Sequence, residues 1–178
     1  MRHKCEPENA VKSITSTKFF IISLAAIVFS GCLPHEATTE QRTHVFIRTI
    51  PQLSPRNAFN ASLRFVKKNF KPALLGGRSS KPVLVSADSV SGTIVARGTM
   101  SNVEGLETLL KKNNVGFTMT EMIKGEIISF HFYSFTGLNT FDEEVELPDY
   151  AEVHVPLHSR CAAIADSITA AVRSVKKN

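Results

Sequence analysis

The stretch Val115–Phe135, VGFTMTEMIKGEIISFHFYSF, decides the fold. Apolar residues alternate with polar or small ones on both sides of Lys124-Gly125, and this two-residue period is typical of strands with one buried face. In the second half, one face carries Ile128, Phe130 and Phe132. The opposite face carries Ser129, His131 and Tyr133. The pattern predicts an antiparallel hairpin with one packed face and one amphipathic face.

Upstream of this hairpin, the sequence predicts one more strand and a second hairpin. His44–Ile50 is rich in β-branched and aromatic residues and stops at Pro51, which indicates a strand. Residues 83–88 and 93–100 have similar composition and flank a short turn that ends at Gly92. Glycine at that position favours a tight reversal, because it tolerates backbone angles that other residues avoid.

A helix is predicted between the first strand and the second hairpin. Ser54-Pro55 offers an N-cap followed by a first-turn proline. Apolar residues then recur every three or four positions, which places them on one helical face: Phe59, Leu63, Val66 and Phe70. The spacing predicts a helix from about Pro55 to Phe70. Four bases lie mainly away from that stripe: Arg64, Lys67, Lys68 and Lys71.

The C-terminal part predicts a connection and a second helix. Residues 141–152 contain six acids and no base, which is typical of a solvated connection, although residues 151–155 have the composition of an edge strand. Ser159 is positioned to cap a helix that buries Cys161 and Ile164. The predicted class is therefore α+β, an antiparallel sheet in the order β-α-β-β-β-β-α with both helices on one face.

Composition limits the protein class. The chain has 178 residues, 21 Lys and Arg against 16 Asp and Glu, and 43% apolar residues, which suits one globular domain. These values exclude a collagen-like or wholly disordered chain. The longest apolar run is shorter than the roughly 18 residues of a membrane-spanning helix, which argues against a multi-span membrane protein.

The N-terminal residues have the order of an export signal. Four bases precede the apolar run Phe19–Phe29, which would span about 16 Å as a helix and would cross a bilayer poorly. Small residues then precede a cysteine, and the sequence Phe29-Ser30-Gly31-Cys32 resembles the lipobox of bacterial lipoproteins. That resemblance implies recognition of Phe29, Ser30 and Gly31, cleavage before Cys32, and acylation of Cys32, which anchors the chain to a membrane.

These residues define three segments: a signal peptide over 1–31, a lipid tether over 32–42 and a folded domain over 43–178. The alternatives are a signal peptide cut elsewhere, which leaves a soluble protein, and an uncleaved signal anchor. The residue after the cysteine is Leu33 rather than an acidic residue. By resemblance to Gram-negative lipoproteins, this favours the outer membrane, facing the periplasm or the cell surface, if the cell is Gram-negative.

Cysteine usage agrees with export. Of the three cysteines, Cys5 leaves with the signal and Cys32 accepts the lipid, so Cys161 remains alone. No intramolecular disulfide is then possible. We expect Cys161 to be buried, because an exposed lone thiol outside the cytoplasm would oxidise.

Residues Asn57–Phe135 resemble a family of bacterial exported domains of unknown function with a TATA-binding-protein-like fold. The resemblance rests on the helix with an Ala-rich aromatic face, on Asp88-x-x-x-Gly92-x-Ile94-x-x-x-Gly98, and on the two long strands that follow. Where family members often carry Trp in the first helix, this chain has Phe65 as a substitute. The resemblance implies an antiparallel sheet with helices on one face, and it implies neither DNA binding nor a catalytic residue.

No constellation in the sequence specifies a reaction. His154 and His158 are four residues apart, but Pro156 lies between them and no third metal ligand stands out. Cys161 lies near His158 in an apolar setting that suits a buried small residue better than a nucleophile. We therefore predict no catalytic residue, metal or cofactor, and no nucleic-acid partner.

Two surfaces are candidates for contact with a partner. The first is the open sheet face with Ser129, His131 and Tyr133. The second is the basic helix face with Arg64, Lys67, Lys68 and Lys71, which is either ordinary solvated surface or a site for anionic lipid, wall polymer or an acidic protein.

The leading hypothesis is a non-enzymatic cell-envelope lipoprotein that binds or supports another envelope component. The alternative is an envelope hydrolase with a pocket on the open sheet face. A concave pocket that joins His131, Tyr133 and a carboxylate would favour the hydrolase.

Overall fold

The computed structural model describes residues 35–72, 83–106, 109–110, 114–139, 141 and 143–175. Within these residues the chain forms six strands and three helices. In chain order they are α1 (Thr39–Arg42), β1 (His44–Thr49), α2 (Pro55–Asn69), β2 (Leu84–Asp88), β3 (Thr93–Met100), β4 (Val115–Lys124), β5 (Ile127–Leu138), β6 (Glu144–Glu146) and α3 (Ala151–Arg173).

All six strands belong to one antiparallel sheet in the order β1-β5-β4-β3-β2. β6 pairs with the C-terminal end of β5, through Thr136–Leu138. β1 pairs with the N-terminal part of β5, through Ile127–Phe132. β1 and β6 therefore lie end to end beside β5, and Tyr133, Ser134 and Phe135 lie in the gap between them.

The predicted hairpin is the centre of the fold. β4 and β5 pair in register from Lys124 opposite Ile127, and Gly125 in the two-residue loop has φ +57°. Ile128, Phe130 and Phe132 are buried against the helices, as the alternation predicts. A bulge in β5 interrupts that alternation at Ser134, which has φ +52°, so that Phe135 returns to the buried face.

Helix α2 confirms its prediction to within one residue. The Ser54 hydroxyl accepts a hydrogen bond from the Asn57 backbone N–H, and Pro55 is the first helical residue. Phe59 and Val66 are buried in the core that α2 and α3 form with the sheet. Cys161 is also buried in this core, as predicted, and burial raises the pKa of its thiol.

Two elements depart from the predicted order: α1 and β6 are additional. Residues 32–42 were predicted to form a tether. Their described part, residues 35–42, is folded. Thr38 and Gln41 form a reciprocal capping box that supports the single turn of α1. β6 is a three-residue edge strand whose acids, Glu144 and Glu146, are solvent-exposed, so the acidic run contains a strand as well as a connection.

The C-terminal helix begins earlier than predicted. α3 starts at Ala151, so residues 151–155 are helical and do not form an edge strand, and Ser159 lies inside the helix. Pro156 is accommodated within α3. A proline there costs about 3 kcal/mol, which the burial of Val153, His154 and Leu157 offsets. No helix in the described part of the chain has the length and apolar character to cross a bilayer.

The free edge of β1 is covered by guanidinium groups. Ile50 N–H donates to the Glu126 carbonyl, so the carbonyls of Ile47 and Thr49 point away from β5. Arg48 Nη1 donates to the Ile47 carbonyl at 3.1 Å. Arg173 Nη2 donates to the Thr49 carbonyl at 2.6 Å. At the opposite edge of the sheet, β2 is short and carries a bulge between Leu84 and Ser86.

Candidate functional site

One face of the sheet is not covered by either long helix. Val45, Ile47 and Thr49 of β1 project from this face, because the alternate residues His44 and Phe46 are buried on the helix side. Cross-strand pairing places Val45 beside His131 and Ile47 beside Ser129. The predicted contact residues Ser129, His131 and Tyr133 therefore lie on an open face that also carries exposed aliphatic side chains.

A cavity of about 440 Å³ lies at the gap between β1 and β6. Its wall combines residues of β5 and β6 with residues from α1, from the segment before α3 and from the first turn of α3: Arg42, His131, Phe132, Tyr133, Ser134, Phe135, Glu146, Leu147, Asp149 and His154. The His131 and Tyr133 rings lie 5.1 Å apart between centroids. The Tyr133 hydroxyl is 3.2 Å from Thr120 Oγ1. The cavity thus joins His131, Tyr133 and two carboxylates.

A chain of four polar side chains runs from this cavity into the core. Arg42 Nη1 lies 3.3 Å from Asp149 Oδ2. Asp149 Oδ1 lies 3.2 Å from His154 Nε2, and His154 Nδ1 lies 3.0 Å from His44 Nε2. Both imidazoles are buried, His44 to 1% exposure. The chain connects α1, the start of α3 and β1, although Arg42 and Asp149 are far apart in sequence.

The Asp149 carboxylate determines which nitrogens of the two imidazoles carry protons. Asp149 can only accept, so a neutral His154 carries its proton on Nε2 and accepts at Nδ1. His44 then donates from Nε2 and keeps an unprotonated Nδ1, and that atom has no partner among the described residues. Burial, and secondarily the neighbouring His154, His158 and His131, lowers the pKa of His44 to about 4. His44 is therefore a neutral histidine that holds structure.

The two buried histidines are not free to act as bases in the cavity. Both ring nitrogens of His154 are occupied, and the free nitrogen of His44 is buried, so neither imidazole presents a base to the cavity. Ser134 lines the cavity, but its hydroxyl makes no hydrogen bond to a base within the described residues. The cavity therefore has polar groups of both charges and the rings of Phe132, Tyr133 and Phe135, and within the described residues its serine is not hydrogen-bonded to a base.

The other predicted site residues lie elsewhere. Ser129 is on the open face outside the cavity, with its hydroxyl directed to the Met122 carbonyl at 3.4 Å. The basic residues Arg64, Lys67, Lys68 and Lys71 are exposed on the helix side of the sheet. The two predicted surfaces thus face opposite sides of the molecule. Phe29, Ser30, Gly31 and Cys32 lie outside the described residues.

Sequence reasoning missed Arg42, His44, Glu146, Asp149 and His154 as neighbours. Their separation along the chain gives no spacing signal. His154 and His158 share one side of α3. His154 is buried and belongs to the hydrogen-bonded series Arg42–Asp149–His154–His44, whereas His158 is exposed. Within the described residues, no group of three or more His, Cys, Asp or Glu side chains is placed to hold a metal ion.

A second polar pair is buried beneath the sheet. The Ser62 hydroxyl of α2 donates to Glu121 Oε1 on β4, and both side chains are fully buried. Glu121 Oε2 has no partner among the described residues. Burial raises the pKa of Glu121 to about 7, against a smaller lowering by the Ser62 hydrogen bond. The carboxyl is therefore close to half-protonated at neutral pH.

Comparison with known proteins identifies the fold. No protein-family model and no curated protein matches the sequence. The structure is similar to a DUF4468 family protein from Bacteroides ovatus, with a TM-score of 0.54 and 11% identity over 80% of this chain and 93% of that one. It is also similar to a TBP-like protein from Parabacteroides distasonis, with a TM-score of 0.56 and 10% identity over 75% of this chain and 94% of that one. The chain therefore has the TBP-like α+β fold.

Proposed function

We propose that this chain is an exported lipoprotein, anchored to the outer membrane of a Gram-negative cell by acyl groups on Cys32, and that its domain is a non-enzymatic module that binds an envelope protein. The order of bases, apolar run and small residues before Cys32 supports export and membrane anchoring. The open sheet face supports the binding role.

The open face carries the argument because it combines apolar and polar groups as protein interfaces do. Ile47 is 64% exposed, and Val45 and Ile127 beside it are about half exposed. His131 and Tyr133 add aromatic rings at the cavity rim, and aromatic residues are enriched in interface centres. Neighbouring exposed apolar residues with a polar rim mark interaction sites on soluble domains.

A photo-crosslinking amino acid at Ile127 tests the binding role in intact cells. We expect it to capture one specific envelope protein, and Ile47→Asp to lower the yield about tenfold, since burial of a large aliphatic side chain contributes roughly 1.5–3 kcal/mol. The same crosslinker at Val90, an exposed turn residue between β2 and β3, serves as the control. Equal capture from both positions, or a yield that Ile47→Asp leaves unchanged, would refute this interface.

An envelope hydrolase is the second candidate, because His131, Tyr133 and carboxylates do share a concave cavity. In that case His131 is the residue with an accessible imidazole, and Ser134 is the serine that lines the same cavity. Turnover of envelope-derived esters that His131→Ala and Ser134→Ala both abolish would replace the binding proposal. Turnover that neither variant affects would exclude this cavity as its source.

The exposed bases of α2 give a further expected result. α2 contains no acid, and none of Arg64, Lys67 and Lys68 has an ion pair within the described residues. We expect a Cys32→Ser chain, which carries no lipid, to bind anionic vesicles or wall fragments at low salt. Binding should weaken steeply as salt rises to physiological strength, because the screening length shortens to about 8 Å.

Reversal of all four charges, at Arg64, Lys67, Lys68 and Lys71, should abolish this binding. Reversal of Arg56 alone, at the first turn of the same helix, is the matched control and should leave most of it. Vesicle binding that survives the fourfold reversal would show that α2 is only a solvated surface.

A further inference from the structure

The segment just before β1 is attached to the domain from its first described residue. Ala151 N–H donates to the His35 carbonyl at 2.9 Å, and Ala37 N–H donates to the Asp149 carbonyl at 3.0 Å. These bonds form an antiparallel bridge between Glu36 and Tyr150. The Ala37 side chain is 2% exposed, so the attachment also buries apolar surface.

Arg42 strengthens this attachment from the other side. Its Nε donates to the Ala37 carbonyl at 2.8 Å, while its Nη1 reaches Asp149 Oδ2 at 3.3 Å. Arg42 therefore binds both the start of segment 35–42 and the connection between β6 and α3. Residues 35–42 are a part of the folded body rather than a spacer.

Only Leu33 and Pro34 separate His35 from Cys32. Three residue steps reach at most about 10 Å, even when fully extended. We propose, resting on the acylation of Cys32 in the proposed function, that the end of the domain with the Glu36–Tyr150 bridge lies directly against the lipid headgroups. The inferred partner is the bilayer surface itself, within about 10 Å of this bridge.

The side chains at this end specify the kind of bilayer. Tyr150 is 37% exposed, and an aromatic ring with a polar tip suits the headgroup region. Glu36, Glu40 and Glu152 are also exposed here, and Arg42 is already paired. An anionic surface would repel these acids over a screening length of about 8–10 Å. The inferred surface is therefore zwitterionic.

The absence of tryptophan from the chain makes fluorescence a direct test. The full-length Tyr150→Trp chain, produced in a bacterium that acylates lipoproteins, would be placed in phosphatidylcholine vesicles with nitroxide-labelled headgroups. We expect strong loss of its fluorescence. Val90→Trp is the matched control, because Val90 is 96% exposed at the opposite end of the sheet, about 25 Å away along β5. Its fluorescence should not fall.

A flexible insertion distinguishes contact of the domain with the headgroups from anchoring through Cys32 alone. About 20 Gly and Ser residues between Pro34 and His35 add a mean reach of about 25 Å and leave the folded residues unchanged. Quenching of Tyr150→Trp should then fall to the level of Val90→Trp. Equal quenching of the two single-Trp chains without the insertion would overturn the inference.

Mass spectrometry of the same preparations separates this inference from the proposed function. Acyl groups on Cys32 together with unquenched Tyr150→Trp fluorescence would refute the contact with the headgroups and would still support the lipid anchor. A chain without acyl groups would refute the lipid anchor, and with it the headgroup contact.

Discussion

The difference in unfolding free energy between Glu121→Gln and the wild type is expected to grow by about 3 kcal/mol as the pH rises from 4.5 to 7.5. Glu121 is fully buried, and its pKa of about 7 in the folded chain lies above the ordinary value of 4.5. The folded state therefore binds the proton more tightly than the unfolded state. The stability that the protonated carboxyl contributes is complete below pH 4.5 and is lost as the pH rises through about 7.

Glutamine keeps the shape of the protonated carboxyl and does not titrate, so the variant avoids the buried charge. Urea unfolding at several pH values measures the difference. Glu104→Gln, at an exposed glutamate, is the matched control and should show a difference that is constant with pH. A constant difference for Glu121→Gln as well would show that Glu121 is solvated in the folded chain.

The second expected result concerns His44 and has the opposite sign. Burial, followed by the three neighbouring histidines, lowers the pKa of His44 from 6.5 to about 4. The stability of the neutral form is therefore present above pH 6.5 and is lost as the pH falls through about 4. We expect a loss of about 2 kcal/mol, less than a full conversion of the shift, because the imidazole is hydrogen-bonded to His154, which lines an open cavity.

His44→Phe removes this titration and leaves His154 Nδ1 without a donor. At pH 7.5 the variant should be about 1–3 kcal/mol less stable than the wild type, and this gap should close towards pH 4. His35→Gln, at an exposed histidine, should show no such convergence. A gap that is constant with pH would show that His44 does not titrate with unfolding.

These two groups oppose each other between about pH 4.5 and 6.5. Glu121 lowers stability as the pH rises, whereas His44 increases it, with similar slopes. The contributions of these two groups should therefore largely cancel across that window. In each variant, the pH dependence of the unfolding free energy should show the contribution of the remaining group. The two variants together are therefore a stronger test than either alone.

The regular elements could be predicted because each repeats a pattern over many residues. The alternation in β5 and the stripe on α2 each place apolar side chains on one face, and both are confirmed. The alternation in β4 also bears on Glu121. Glu121 lies in phase with Phe117, Met119 and Ile123, so the same period assigns this carboxyl to the buried face of β4.

The rest could not be predicted because it depends on contacts between distant residues. His44 and His154 are separated by 110 positions, and their hydrogen bond exists only after β1 and α3 have packed. β6 is too short to show a period, and its acids have the composition of a loop. Pro156 and the capping signal at Ser159 favoured a later helix start, but tertiary burial of Val153 and Leu157 outweighs both.

The arginines on the free edge of β1 have a consequence for chains concentrated on a membrane. Unpaired strand edges template cross-β aggregation, and the lipid anchor proposed above would confine many copies to one plane. Arg48 and Arg173 occupy the carbonyls that an incoming strand would need, and Arg48 is held there by its ion pair with Asp166 at 2.7 Å. The bulge in β2 bends the other edge. Under the proposed anchoring, both edges of the sheet therefore oppose strand addition between neighbouring copies.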